Sequence, residues 1–105
     1  MAFTGNENHT IPVQDAAEMN KRFRDTYPDQ PKAVYFSQST LNSIMAQTGC
    51  VGIRFFFALT DGDEMRLTFC GVDSSENDII GIVGNSGILC PPTCGTSDAL
   101  NSDKR

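Results

Sequence analysis

Tryptophan is missing from these 105 residues, tyrosine occurs twice and histidine once. Few flat rings are therefore on hand to stack single-stranded bases. Clusters of lysine or arginine are missing too. The formal charge is −5, and it is uneven: residues 1–60 hold five basic and five acidic side chains, residues 61–105 three and eight. A phosphate backbone is repelled by that second half, so no nucleic-acid partner is expected. The longest apolar run, Phe55 to Leu59, falls far short of the ~20 residues a membrane-spanning helix needs. Met1 to Thr10 has neither the basic region nor the apolar stretch of a secretory signal. Cytoplasmic residence and no membrane partner are the resulting expectations. The lone histidine, His9, lies in this polar lead-in, a poor place to fix the general base of a nucleophile–histidine–acid triad.

What is present patterns as one α+β domain over residues 11–95, with a flexible segment at 1–10 and a disordered tail at 96–105. Pro12 suits a helix start, because its missing N–H has no partner in the first turn anyway. Val13, Ala16, Ala17, Asn20, Phe23 and Tyr27 then recur at three- and four-residue steps, one face of a helix that Pro28 stops. Ala33 to Phe36 reads as a short strand. A second helix, capped by Ser37 or Ser39, runs to Gln47 and ends at Gly49.

Val51 to Thr60 and Met65 to Val72 are two strands around an Asp61-Gly62-Asp63-Glu64 turn. Alternation groups Ile53, Phe55, Phe57 and Leu59 on one side, and Met65, Leu67 and Phe69 on the other strand. These sets share a buried face only if the connection has an odd residue count or a bulge; a two-residue turn sets Phe57 opposite Arg66. Burial of large side chains at roughly 1.5–3 kcal/mol each outweighs a turn preference, so the odd register is expected. Ile79 to Val83 makes a further strand. Two helices ahead of most strands argue for an antiparallel sheet of three to four strands with both helices packed on one face.

Chemistry has few candidates. Cys90-Pro91-Pro92-Thr93-Cys94 could bring two sulfurs from one loop, with Cys50 as third participant, for metal or thiol-redox work. Structural zinc commonly shows closer pairs and four ligands, and no cofactor is expected. A Cys90–Cys94 disulfide is the rival, opposed by a reducing cytosol. The favoured reading leaves all four thiols as small packing atoms, Cys70 on the strand face opposite Phe69. Asp73, Ser75 and Asn77 alternate like a calcium loop, yet Asp78 and Gly84 stand where such a loop requires glycine and glutamate. Gly81-Ile82-Val83-Gly84 lacks the phosphate-binding lysine of a nucleotide loop. On the sheet's other face, alternation gathers Arg54, Phe56, Arg66 and Thr68, an aromatic between two arginines suited to a protein partner or an anionic small ligand.

Gly49-Cys50-Val51-Gly52-Ile53-Arg54 and Cys90-Pro91-Pro92-Thr93-Cys94-Gly95, with the preceding Ala16 to Tyr27 helix, resemble a group of small uncharacterised bacterial proteins. The resemblance spans most of Pro12 to Gly95 and implies no activity, cofactor or catalytic residue. It does imply an aliphatic residue in the relatives where Cys70 stands, which speaks against a four-thiol metal site. With no complete catalytic constellation, the reading is a non-catalytic binding or interaction module; the alternative is a metal or thiol-redox protein using Cys90 and Cys94. A homo-oligomer fits either.

Overall fold

The computed structural model describes residues 2–103. Met1, Lys104 and Arg105, the far ends of the expected loose segments, lie outside the described residues. In chain order come helix α1 (Val13–Thr26), strand β1 (Ala33–Tyr35), helix α2 (Gln38–Met45), strands β2 (Cys50–Leu59), β3 (Met65–Asp73) and β4 (Asp78–Gly84), and a short β5 (Ile88–Cys90). The class is α+β with antiparallel sheets, as the sequence indicates. The strands divide, however, into a three-stranded sheet ordered β2-β3-β4 and a separate two-stranded sheet of β1 and β5. The chain accordingly falls into two compact units, Met1–Asn8 with Phe36–Gly87 and His9–Tyr35 with Ile88–Arg105.

The first unit is built on the β2–β3 hairpin. Its pairing sets Phe55 against Phe69, Phe57 against Leu67 and Leu59 against Met65. The connection, residues 60–64, has the odd count that this register demands. Thr60 closes it by donating its N–H to the Glu64 carbonyl (2.9 Å) and by accepting the Glu64 N–H on its hydroxyl (3.1 Å). The only irregularity along the hairpin lies between Cys50 and Gly52, at the far end. Ser37 caps α2, its hydroxyl accepting the Thr40 N–H at 3.2 Å. Gly49 turns the chain with a φ of 81°, leading from the helix directly into β2. The core of this unit is an aromatic cluster: Phe69, fully buried, meets Phe36 with centroids 4.4 Å apart and Phe55 at 5.2 Å. Gly84 on β4 lies beneath the Phe69 ring; a Cβ there would stand 2.1 Å from Cζ.

The expectation that Phe55, Phe57 and Leu59 all turn into the core is corrected. Phe57 is 95 % exposed, Leu59 64 % and Phe55 45 %. Length explains it. The eight residues of α2 rise about 12 Å, whereas the ten of β2 extend about 33 Å. Because Gly49 ties the helix to the Cys50 end, Ile44 packs over Gly71 and Phe69 is covered, but the far half of the hairpin projects past the helix.

In the second unit α1 buries Ala17 completely. Pro12 precedes its first turn, and the Tyr27 N–H caps the end on the Phe23 carbonyl at 2.8 Å. The segment after Gly95, expected to be disordered, carries a hydrogen-bonded turn. The Asp98 carboxylate accepts the N–H groups of Leu100 and Asn101, both at 2.9 Å. The Leu100 carbonyl in turn accepts from Asn20 at 3.0 Å and Arg24 at 3.2 Å, and Arg24 pairs with Asp103 at 2.9 Å. Among the described residues no helix is long and apolar enough to cross a membrane.

Candidate functional site

The β2–β3 hairpin presents two faces, and its pairing assigns each side chain to one. Arg54 lies opposite Cys70, Phe56 opposite Thr68 and Ala58 opposite Arg66. Arg54, Phe56, Arg66 and Thr68 therefore share a face, as their alternation predicts. The two guanidinium groups are already engaged there. Arg54 forms an ion pair with Asp78 and donates to the Glu76 carbonyl at 3.4 Å. Arg66 donates to the Met65 carbonyl at 2.8 Å and reaches Glu64 at 3.5 Å. An anion arriving at this face competes with a carboxylate at each arginine. Phe56 between them is 40 % exposed.

Cys70 is buried on this same side, opposite the Phe69 face. It is more than an apolar filler. Its burial pushes the thiol's pKa up, and the neighbouring Asp78, by charge and by hydrogen bond, pushes the same way; Arg54 opposes them. The result is a thiol that keeps its proton beside a carboxylate held by an arginine, and a poor nucleophile. Asp78 is the residue that sequence reasoning missed. It sat at a loop edge in the sequence, and only the β3–β4 pairing, with Val72 opposite Asp78, carries its carboxylate to Arg54 and Cys70.

On the other face the exposed apolar side chains of Phe55, Phe57 and Leu59 form a row along β2. That strand is an edge of its sheet. Little blunts that edge beside the aromatics: there is no proline or lysine between Cys50 and Leu59, Arg54 is the one charged side chain, and the bulge lies at the far end.

The cysteine loop differs from its favoured reading. Cys90 and Cys94 are joined by a disulfide across a Cα–Cα distance of 4.8 Å, so they are not packing thiols. The loop is tight because Thr93 donates its N–H to the Leu89 carbonyl at 3.0 Å, which brings residue 94 back beside the end of β5. Cys90 is buried, while Cys94 is half-exposed and its carbonyl accepts the Asn101 side chain at 3.2 Å. Cys50 is a free thiol of the other unit, its sulfur directed to the Gly52 carbonyl at 3.2 Å. Among the described residues no three His, Cys, Asp or Glu side chains gather where they could hold a metal ion. The loop that alternates like a calcium site uses its leading carboxylate internally: Asp73 accepts the N–H groups of Ser75 at 2.9 Å and Asn77 at 3.0 Å. Comparison of the chain with protein-family models, with curated proteins and with solved structures finds no match.

Proposed function

We propose that this chain is a non-catalytic interaction module that holds a protein partner on its β2–β3 hairpin. One observation carries the reading: a fully exposed phenylalanine, Phe57, stands in a row with half-exposed Phe55 and exposed Leu59 on an edge strand. Aromatic anchors of this kind supply most of the energy in protein interfaces. A row of them in water is otherwise a standing cost. The Arg54, Phe56, Arg66 and Thr68 face is the second surface of the same hairpin and contributes the polar rim, its arginines exchanging Asp78 and Glu64 for acidic groups of the partner. Affinity capture with the wild-type chain, Phe57→Ser, and the Phe56→Ala/Arg66→Ala pair tests this, each variant first checked for unchanged melting. Loss of the same partner in Phe57→Ser is expected; full retention in all variants removes the hairpin as the site.

A second reading, thiol–disulfide chemistry at Cys90 and Cys94, is favoured by their bond and by the half-exposure of Cys94, the sulfur an external thiolate could attack. Residence in the cytoplasm belongs to the same proposal and bears on this pair, because cytosolic reductants keep thiols reduced. Alkylating free thiols at the moment of cell lysis, followed by mass spectrometry, decides both: a reduced pair supports the cytoplasm, and a fully oxidised one refutes it.

A further inference from the structure

Resting on that reading of the hairpin, we infer that the partner at β2 is a second copy of this chain, paired edge to edge and antiparallel about a two-fold axis at Phe57. The strand is self-complementary in this register. Phe57 meets its own counterpart, Phe55 meets Leu59 on one face, and on the other Phe56 lies against Ala58, large against small. Arg54, the only charge on the strand, falls opposite Thr60 and never opposite itself. The acidic turn containing Asp61, Asp63 and Glu64 raises an objection, since two acidic copies repel. In this register Asp61 lies opposite Ile53 of the second copy. The two turns are thus eight residues apart along the strand direction, about 26 Å, well beyond the Debye length of about 8 Å at physiological salt.

Area sets the strength. Phe55, Phe56, Phe57 and Leu59 leave 45, 40, 95 and 64 % of their surfaces in water. At about 200 Å² for a large side chain, that is roughly 450–500 Å² per copy before the backbone edge is counted. Complete burial of these side chains together with the backbone edge would bring the pair to about 1,200 Å², the lower bound for specific interfaces, and edge pairing, which leaves part of both faces in water, buries less. The dimer is accordingly a weak one, dissociating on dilution.

Sedimentation velocity on the full chain from about 5 to 500 µM reads this directly. The wild type is expected to move from monomer to dimer across that range, and Phe57→Asp to stay monomeric with unchanged melting. The register is read by cysteine cross-linking. Facing residues in an antiparallel pair have Cα atoms about 4.5–5.5 Å apart, within disulfide reach. Under mild oxidation Phe57→Cys is expected to give a covalent dimer at least tenfold faster than Phe55→Cys or the wild type. A wild type that is monomeric throughout, a dimer that Phe57→Asp leaves intact, or equal cross-linking at positions 55 and 57 overturns the proposal. The broader reading fails separately: it falls only if Phe57→Ser and the Phe56→Ala/Arg66→Ala pair both also keep every other protein the hairpin captures.

Discussion

Gly84 has no room for a methyl group. A Cβ built there lies 2.1 Å from Phe69 Cζ and within 2.5 Å of both neighbouring ring carbons, where carbon atoms settle at about 3.5–4.0 Å. The ring must therefore retreat by roughly 1.5 Å. It cannot do so freely, because Phe69 is fully buried and held by Phe36 at 4.4 Å and Phe55 at 5.2 Å. Forcing an extra carbon into a filled core costs about 1–3 kcal/mol. Expelling the ring altogether costs about 3–5 kcal/mol. Gly84→Ala is thus expected to destabilise the chain by about 2–4 kcal/mol, read from the urea midpoint at unchanged slope. The assay is completed by Phe69→Leu, whose shorter side chain clears the space. In that background the glycine substitution is expected to cost under ~1 kcal/mol, a coupling that independent sites do not show. A Gly84→Ala variant within ~0.5 kcal/mol of wild type, or an equal penalty in both backgrounds, refutes the reasoning.

Other expectations are smaller. Replacing Cys90 and Cys94 together by serine removes a closure of only a few residues and should cost about 2 kcal/mol by the chain-entropy argument, with dithiothreitol giving the same loss in the wild type and none in the variant. Ser37→Ala should cost about 1 kcal/mol through the lost Thr40 cap, measured by thermal melting. Cys70 binds its proton more tightly folded than unfolded, so its contribution is complete below the ordinary thiol range and is lost as pH climbs above 9.0; the urea midpoint should fall between pH 8 and 10 in wild type and less so in Cys70→Val. Glu7 behaves oppositely: the N–H groups of Thr4 and Gly5 hold its carboxylate, lowering its pKa below 4.5, so these contacts persist at neutral pH and open as the solution is acidified through that lowered value. Amide shifts of Thr4 and Gly5 followed by NMR check this.

Much of the architecture is legible in the chain because local signals agree there. Pro12, Ser37 and Gly49 mark helix ends by backbone chemistry that needs no tertiary context. The odd register of the hairpin follows from period-two alternation, since any other pairing separates Phe55 from Phe69. What alternation cannot report is how far a helix reaches. It says that Phe57 shares a side with Phe55, and nothing about α2 being too short to cover both. The Cys90–Cys94 bond was hidden for a different reason. Spacing alone allows it and a reducing compartment opposes it, whereas the Thr93 to Leu89 hydrogen bond that closes the loop is invisible in composition. Asp78 shows the third kind of gap: its importance comes entirely from strand pairing, which places it beside residues far away in sequence. The arginine face was legible as a set, but the carboxylates that occupy it were not.

The turn at residues 98–103 changes where the chain can safely be altered. A polar, lysine- and serine-bearing end invites trimming or the attachment of a tag. Here it supplies the carbonyl and carboxylate that Asn20 and Arg24 grip, and its Asn101 side chain also holds the carbonyls of Cys94 and Thr96 at 3.2 and 3.0 Å. A version shortened after Gly95 would leave those donors to water and the cysteine loop without its brace. Any alteration belongs outside the turn at residues 98–103, not within it.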